Sequence, residues 1–177
     1  RVSDHLSKKS KYTPRQRLWY IRAKETILST GSIERPIVFG NNDTPGVVLS
    51  SAAKEYMKVY GVLVGRKPII FTNNDTAYET AFEFKKNNIE PIILDSREEH
   101  ESEVVREAKN KGIQIKFSYG VIVANGYKKV KSAKIGKLTK DKKSFEKIET
   151  INCDCICVSG FWTPTIHLAS QSGNKTK

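Results

Sequence analysis

Between residues 66 and 118, short apolar runs alternate with longer amphipathic runs. The runs RKPIIFT, EPIILD and IQIKFS predict three β-strands. DTAYETAFEFKKNN and HESEVVREAKNKG lie between them and predict two helices. Strands that alternate with helices at this spacing form βαβ units with right-handed crossovers. We therefore predict a βαβαβ unit with a parallel sheet.

The pattern changes after residue 118. YGVIVANGY, KKVKSAKIGKLTK and KSFEKIETIN are three strand-like runs, with turns at Asn125-Gly126 and near Asp141. Such runs predict an antiparallel β-meander, and CDCICVSG predicts a final apolar strand. The predicted fold class is α/β, a Rossmann-like βαβαβ domain of three layers with an antiparallel β-meander.

The residues before this block predict further elements. RLWYIRAKETILSTG, residues 17–31, predicts one or two strands that end at its last glycine. Residues 32–47 hold two prolines and a polar turn, and predict an ordered loop. LSSAAKEYMKVYG predicts a helix that Ser50 or Ser51 caps and that Gly61 stops. After the last apolar strand, FWTPTIHLASQSG predicts a loop with a short helix.

This order of elements is that of one dinucleotide-binding domain inserted into another. We predict that residues 48–158 form the inserted Rossmann-like domain with its β-meander. Residues 1–47 and 159–177 then belong to a first domain of the FAD/NAD type. The chain begins at an arginine, and we interpret it as a piece of a longer protein.

The turn after the first strand of the βαβαβ unit is where a dinucleotide would place its diphosphate. A binding turn reads G-x-G-x-x-G, because two glycines permit a tight turn and close approach of the diphosphate, and the third permits helix–strand packing. Thr72, Asn74 and Ala77 stand at these positions. Asn tolerates left-handed geometry, so the turn can form, but its side chain takes up diphosphate space. We expect a Rossmann shape without a nucleotide, and a bound nucleotide is the alternative.

Charged residues near this turn have two interpretations each. Asp75 is expected to cap the following helix and to place a negative charge where a phosphate would lie. Asp95 ends the second strand, where a ribose-binding acid would lie, but without the glycines a loop carboxylate is favoured. Arg97 suits a 2′-phosphate, or an ion pair with the acids that follow it, which are Glu98, Glu99 and Glu101.

Two glycine positions are better candidates for a cofactor site. Ser29, Thr30 and Gly31 end a predicted strand, and Gly160 follows the last apolar strand. A glycine at the carboxyl edge of a sheet lets the backbone approach a ligand that lies across the strand ends. We predict these four residues as cofactor-binding. The alternative is that each glycine merely ends its strand.

The sequence offers few other candidates for catalytic or metal-binding residues. Cys153, Cys155 and Cys157 would share one face of a strand about 6.5–7 Å apart, too far for one zinc ion and unsuited to a disulfide. We expect them to be buried small hydrophobic residues in a reducing compartment. His167 has no acid or nucleophile beside it in sequence. We therefore predict no metal site and no catalytic residue.

The chain has 31 basic and 19 acidic residues and a formal net charge of +12. Its densest lysine run, residues 128–143, alternates with apolar residues and predicts a hairpin with one solvated face. No nucleic-acid-binding motif accompanies the charge, and no apolar run approaches the ~18 residues of a membrane span. We expect neither nucleic acid nor a membrane as a partner.

Three sequence blocks, in this order, resemble a known family. They are ILSTGSIERPIVFGNNDTPGV, FTNNDTAYETA and CVSGFWTPTIHLASQSG. Together they are similar to the dinucleotide-binding half of the α subunit of heterotetrameric sarcosine oxidases, from about Arg15 to Gly173. Subunits of opine oxidase and hydrogen cyanide synthase complexes share the E-R-P loop but less of the Asn-Asn-Asp turn and of the W-T-P-T-x-H-L ending. In this chain Glu34 and Arg35 are candidates for binding a partner or cofactor, and pairing with each other is the alternative.

The resemblance implies a bacterial, cytoplasmic complex that demethylates sarcosine to glycine, reduces oxygen to hydrogen peroxide and, with tetrahydrofolate, forms methylenetetrahydrofolate. It implies β, γ and δ partner subunits, FAD in β, FMN between α and β, and NAD in the intact α subunit. The glycine-rich turn of the first domain and the folate domain are missing here, so we expect no activity and no cofactor in the fragment alone.

Two further hypotheses belong to other functional classes. One is an NAD(P)H-dependent flavoprotein reductase whose inserted domain binds the reductant itself. The other is a non-catalytic interaction module that presents its basic face to an acidic partner. Tight nucleotide binding at the turn that contains Asn73 and Asn74 would favour the reductase.

Overall fold

The computed structural model describes residues 5–8, 10–14, 16, 18–171 and 173. Gly31–Thr165 forms one compact unit, and the second unit consists of described residues up to Thr30 and from Ile166 onward. The larger unit is wider at both ends than the predicted inserted domain, residues 48–158. The assignment of the flanks to a first dinucleotide-binding domain stays a prediction.

The larger unit contains three sheets and three of the helices. The strands are β1 Ser32–Arg35, β2 Val47–Leu49, β3 Pro68–Thr72, β4 Ile92–Asp95, β5 Gln114–Phe117, β6 Tyr119–Asn125, β7 Ser132–Leu138, β8 Phe145–Asn152, β9 Cys155–Ser159 and β10 Phe161–Pro164. The helices are α1 Ser50–Tyr60, α2 Tyr78–Lys86 and α3 Glu103–Asn110, and a 3₁₀ turn, Asp75–Ala77, precedes α2. The smaller unit contains α4 His167–Gln171.

The central sheet is parallel and has the order β2-β9-β3-β4-β5. Every residue of β3 and β9 is buried, as expected for inner strands covered on both faces. The predicted βαβαβ unit is therefore confirmed, with β3, β4 and β5 as its strands. The last apolar strand, β9, inserts beside β3.

Two apolar cores give the unit its three layers. On one face of the sheet, α1, α2 and α3 pack around buried residues that include Ala53, Phe84 and Val105. On the other face, the antiparallel β6-β7-β8 meander buries Val121 and Ile135 with the sheet. The α/β fold class with its β-meander is confirmed.

The prediction of strands over residues 17–31 is wrong for the part that the structure describes. No strand forms between Leu18 and Gly31. The apolar side chains there stay exposed, with Trp19 at 70% and Ile27 at 90% of full exposure. A strand needs a neighbouring strand for its backbone hydrogen bonds, and within the described residues none runs beside this segment.

Residues 32–47 are more regular than the predicted loop. They contain β1 and the start of β2, and β1 pairs antiparallel with β10, from Ser32 opposite Pro164 to Arg35 opposite Phe161. The residues at the two ends of this pairing are more than 120 positions apart in sequence, so no local pattern reveals it. FWTPTIHLASQSG accordingly begins with a strand, and its predicted short helix is α4.

Helix α1 confirms its predicted end but not its predicted cap. Gly61 adopts the left-handed conformation with φ 64°, and its N–H bonds to the carbonyl of Tyr56. At the other end Leu49 is the N-cap residue and provides no side-chain bond, while Ser50 and Ser51 are already helical. No helix in the described part of the chain is long and apolar enough to cross a membrane.

Candidate functional site

The carboxyl ends of β9, β3 and β4 meet at one edge of the parallel sheet. Thr72 lies opposite both Asp95 and Ser159, and all three side chains are fully buried. In open α/β sheets this edge is where ligands bind. The turn between β3 and α2 therefore lies where the sequence predicts it.

The side chain of Asn74 lies over this turn and makes hydrogen bonds on both sides of it. Its amide nitrogen lies 3.1 Å from the hydroxyl of Ser159 and 3.3 Å from the carbonyl oxygen of Gly160. Its oxygen accepts hydrogen bonds from the backbone N–H of Thr76, at 3.1 Å, and from the Thr76 hydroxyl, at 2.6 Å. The N–H of Thr76, one of the free N–H groups at the start of the 3₁₀ turn, is thus bound by the protein itself.

The backbone of Asn74 differs from expectation. The residue is extended, with φ −147° and ψ 164°, and is not left-handed. It is the N-cap of the 3₁₀ turn, in place of Asp75, so the prediction of Asp75 as the cap is wrong. An extended N-cap brings its side chain back over the turn that follows, which is the usual geometry of Asn in this position.

Asp75 instead belongs to an ion pair at the surface of the site. One guanidinium nitrogen of Arg97 lies 2.7 Å from Asp75 and 2.7 Å from Asp95, while Nε of Arg97 lies 3.0 Å from Asp95. The hydroxyl of Tyr78 donates to Asp95 at 2.9 Å. Asp95 is therefore a buried residue at the end of a strand, not the expected loop carboxylate.

Arg97 does not pair with the acids that follow it. Its partners are Asp75 and Asp95, and Glu99 pairs with Lys109 on α3. The sequence suggests the acids that follow Arg97, because no sequence pattern shows that the guanidinium turns back towards Asp95. A guanidinium that is shared between two carboxylates is not free for a 2′-phosphate.

The charges in this cluster shift its pKa values in consistent directions. Burial acts to raise the pKa of Asp75, but hydrogen bonds from Arg97 and Ser102 and the nearby positive charges outweigh it and hold that pKa below its ordinary value. The hydrogen bond to Asp95 raises the pKa of Arg97. Burial and Asp95 raise the pKa of Tyr78. The site therefore holds two carboxylates around one guanidinium, with the His100 ring 3.6 Å from Asp75.

A second helix N-terminus at this edge is also occupied by a protein group. Glu34, on β1, is 5% exposed, and its carboxylate accepts hydrogen bonds from the backbone N–H of Ser51 at 2.9 Å and from the Ser51 hydroxyl at 2.5 Å. A carboxylate at the first turn of a helix is favoured by the helix dipole. Glu34 thus takes the capping role predicted for Ser50 or Ser51.

The β1–β10 ribbon joins the two helix starts. Glu34 and Trp162 lie opposite each other in the ribbon. The indole N–H of Trp162 donates to the hydroxyl of Thr76 at 3.0 Å. Arg35 does not pair with Glu34, because its Nε donates to the hydroxyl of Thr163 at 3.1 Å. The ribbon therefore contacts the starts of both helices, through Glu34 of β1 and Trp162 of β10.

The predicted cofactor-binding residues have different surroundings. Ser29 and Thr30 are exposed and belong to the smaller unit, whereas Gly31 begins the larger unit with φ 65° and open space where a side chain would project. Gly160 has no such space. A Cβ there would lie 2.9 Å from the carbonyl oxygen of Arg35, which accepts the Gly160 N–H at 2.7 Å. Their role in cofactor binding stays a prediction.

The cysteines are buried as expected but do not share a face. Cys155 and Cys157 pack on the helix side of the sheet, and Cys153, which precedes β9, packs on the meander side. Burial raises the pKa of Cys153 to about 12. Among the described residues, no three His, Cys, Asp or Glu side chains are grouped to hold a metal ion. His167 begins α4 and is exposed.

Sequence reasoning missed three side chains of this edge. Tyr78, Ser159 and Trp162 each complete a hydrogen bond between residues that are far apart in the sequence. A weak signal existed for Ser159 and Trp162, because both lie close to Gly160 at a predicted strand end. Glu34 was a candidate, but its partner Ser51 lies in a separate element and was not predicted.

Replacing Glu34 with Ala should lower the free energy of unfolding by about 1–3 kcal/mol, because the Ser51 N–H loses a charged acceptor in a buried place. Urea denaturation measures the loss. The matched control is Glu55→Ala, since Glu55 is exposed on the same helix. Equal losses in the two variants would contradict the capping role.

Replacing Asp75 with Asn should cost the chain up to about 1 kcal/mol at pH 7, since Asp75 is 39% exposed and its ion pair is partly screened. The pKa of Asp75 is lower in the folded chain, so the unfolded chain binds this proton more readily, and the contribution is lost as the pH falls from about 5 through the folded pKa. The deficit of Asp75→Asn should therefore shrink towards pH 3.

Urea unfolding of both proteins across this pH range measures the deficit, and Glu101→Gln, which alters an exposed carboxylate, is the control. A deficit that stays constant or grows on acidification would rule out the stabilising ion pair.

Comparisons with solved structures show the fold. Thioredoxin reductase from T. acidophilum superposes with a TM-score of 0.63 at 18% identity, over 84% of this chain and 47% of that chain. The NAD-dependent persulfide reductase from A. fulgidus gives 0.59 at 19% identity, over 84% and 27%. Likeness at this identity concerns architecture alone, and it is the architecture predicted from the order of elements.

Comparisons with curated sequences give closer likenesses. The chain is 35% identical to sarcosine oxidase subunit alpha of Rhizobium meliloti (strain 1021), over 99% of this chain. It is 33% identical to the subunit of the same name from Corynebacterium sp. (strain P-1), over 91% of this chain. The chain spans 17% of the length of each of these relatives. No family model matches the chain.

The resemblance that the three sequence blocks predict is therefore confirmed: over nearly its whole length, this chain is similar to a part of sarcosine oxidase subunit alpha.

Proposed function

We propose that this chain is part of an oxidoreductase, the α subunit of a heterotetrameric sarcosine oxidase, and that its larger unit is a scaffold with a closed nucleotide site. Sequence identity to three sarcosine oxidase α subunits supports the oxidoreductase class. The filled turn between β3 and α2 is the observation that supports the scaffold role.

The turn does not fit the diphosphate of NAD. The phosphate of a bound dinucleotide takes its hydrogen bonds from free N–H groups at the start of a helix. Here the carboxamide of Asn74 binds the N–H of Thr76 and covers the turn. A diphosphate would have to displace this side chain and break its bonds to Ser159 and Gly160.

Charge opposes a diphosphate as well. The carboxylates of Asp75 and Asp95 lie beside the turn, and the Glu34 carboxylate lies at the start of α1. Like charges at short distance raise the free energy of a bound anion, more so where water is excluded. Steric and electrostatic terms therefore act in the same direction.

In the proposed function the whole protein holds NAD, and Ser29, Thr30, Gly31 and Gly160 are proposed as cofactor-binding residues. Gly31 supports this, because its left-handed backbone and open surroundings suit a close approach by a ligand. Gly160 would contribute to NAD binding indirectly. Because it has no side chain, the backbone of Arg35 can approach it, and this contact fixes the E-R-P segment.

The whole protein would then work with β, γ and δ subunits in a bacterial cytoplasm. Its reaction would be oxidative demethylation of sarcosine to glycine, with hydrogen peroxide and methylenetetrahydrofolate as further products. FAD and FMN would be bound elsewhere in the complex, with tetrahydrofolate as co-substrate. This chain would provide structural support and residues that bind NAD, and it would have no activity on its own.

The reductase alternative places NAD(P)H in the larger unit. This alternative is favoured by the fold, since thioredoxin reductases superpose on the chain. It requires that Asn74 turn away and that a phosphate bind next to Asp75. The two functions therefore differ in whether Asn74 contacts the nucleotide.

We expect the full-length protein to retain its NAD after Asn74→Ser, with an occupancy within about twofold of the unsubstituted protein. Gly31→Ala should lower the occupancy at least about tenfold. A Cβ at Gly31 meets no atom within 4 Å, so a loss there reports on the ligand and on local backbone strain, not on packing. Occupancy is measured as NAD released per polypeptide on denaturation, and thermal unfolding checks the fold of each variant.

A marked change in NAD(P)H binding by Asn74→Ser, in either direction, with Gly31→Ala unaffected would favour the reductase. A full-length protein that releases no NAD in any form would contradict the NAD-holding role.

A further inference from the structure

The β-meander concentrates the positive charge of the protein. Between residues 119 and 152 there are nine lysines against three carboxylates, a net charge of +6, which is half of the +12 of the whole chain. Eight of the nine are exposed and one is partly buried. They are Lys128, Lys129, Lys131, Lys134, Lys137, Lys140, Lys142, Lys143 and Lys147, and are called here the lysine surface.

The lysine surface lacks the ion pairs that other lysines of this unit make. Six lysines on the helices and β5 each lie within 4.0 Å of a carboxylate; they are Lys54, Lys85, Lys86, Lys109, Lys111 and Lys116. Among the described residues, no such pair includes a member of the lysine surface. The carboxylates of the described residues therefore form no ion pair with this surface, although Glu146 lies opposite Lys137 in the β7–β8 pairing.

The carboxylates of the meander are mostly engaged elsewhere. Glu149 pairs with Lys116 of β5, at 2.5 Å. Asp141 accepts hydrogen bonds from the hydroxyl of Thr139 and the backbone N–H of Lys143, which fix the β7–β8 turn. These bonds lower the pKa of Asp141, so it stays ionised within the turn.

The lysines form a band along β7. Ala133 and Ile135 are buried against the sheet, so Lys134 between them lies on the outer face. The other lysines lie mainly at the hairpin connections, residues 126–131 at one end and 139–144 at the other. A seven-residue strand is about 20 Å long, which suits one side of an ordinary protein interface of about 800 Å².

Unpaired like charges repel one another within a screening distance of about 8 Å at physiological salt. An acidic surface placed against the band would remove this repulsion and attract the partner over distance, which speeds association. This gain in binding free energy requires no conformational change in the meander.

Several features favour a protein over a nucleic acid as the partner. Residues 119–152 contain no arginine, the residue best suited to phosphate recognition. Tyr127 is their one strongly exposed aromatic residue, whereas single-stranded nucleic acids require several for stacking. Ile148 is 51% exposed within the band, and a protein partner can cover such an apolar side chain.

The partner would not add a strand to β8. This strand is an edge, paired only with β7, but Lys147 has a left-handed φ of 49° and the pairing shifts register nearby. Charged residues and bulges are how proteins protect an edge from strand addition. Recognition must therefore rest on side chains.

We propose that the lysine surface is a docking surface for the acidic face of a partner protein. Under the proposed function the partner is another subunit of the complex, and the inference rests on the proposed function for that identity alone. The chemistry that recognises the partner is a group of Asp and Glu side chains spaced along about 20 Å.

The test uses the full-length protein, co-expressed with the β, γ and δ subunits of the proposed complex. Lys140→Gln, Lys142→Gln and Lys143→Gln are combined in one variant, which removes three charges from an exposed turn. The control combines Lys8→Gln, Lys24→Gln and Lys58→Gln, which removes three exposed charges elsewhere. Dissociation constants for the subunits are measured from about 50 to 300 mM salt, a range over which screening becomes strong.

We expect the turn variant to bind its partner subunit at least about tenfold more weakly at 50 mM salt, with a smaller salt dependence, and the control within about twofold of the unsubstituted protein. Equal binding by the two variants would overturn the inference. Thermal unfolding shows whether each variant is folded, and Lys134→Gln with Lys147→Gln is a second variant if the first is not.

Poly-L-glutamate and poly(U) RNA, compared at 150 mM salt, separate the two classes of partner. Weaker poly-L-glutamate binding by the turn variant than by the control supports the inference, and equal binding overturns it. Tighter binding of poly(U) than of poly-L-glutamate also overturns it. If no subunit co-purifies with any form, the proposed complex fails, while the polymer comparison still decides on the lysine surface.

Discussion

The carboxamide of Asn74 is the interaction on which the interpretation of this protein depends. A helix that starts at the carboxyl edge of a parallel sheet leaves N–H groups that must find an acceptor. In a dinucleotide-binding domain the ligand supplies it, and glycines keep the space open. In this chain Asn74 supplies an acceptor for the N–H of Thr76 and also ties the turn to Ser159 and Gly160, so its side chain takes the place of a ligand.

The same solution occurs at the neighbouring helix and gives the E-R-P loop a physical role. Glu34 neutralises the start of α1, and Trp162, opposite it in the ribbon, binds the turn before α2. Gly160 permits this arrangement, because any side chain there would meet the backbone of Arg35. Residues that look like parts of a cofactor site in the sequence thus also hold the ribbon against the sheet.

The central fold could be predicted because its signals are local. The runs from residue 66 to 118 alternate between the periods of strands and helices, and β3 and β4 bury their residues as that pattern requires. The β1–β10 ribbon could not, because its register joins Ser32 to Pro164 across most of the chain. The segment from Leu18 to Gly31 has a strand-like composition, but composition does not provide a neighbouring strand.

The type of site could be predicted from the sequence, but its individual contacts could not. The loss of glycines at Thr72 and Asn74 is visible in the sequence, and so is the steric conflict with a diphosphate. Which polar residue caps the turn is not, because Asn74 and Asp75 are both good capping residues. The choice depends on Arg97, whose guanidinium attracts the Asp75 carboxylate, and no local pattern shows that contact.

The most direct test is a crystal structure of the chain grown with a high concentration of NAD. The bonds from Asn74 to Thr76 and Ser159 should persist, with no diphosphate at residues 72–77. Density for a diphosphate on the N–H groups of this turn, with the Asn74 side chain turned outward, would contradict the closed site.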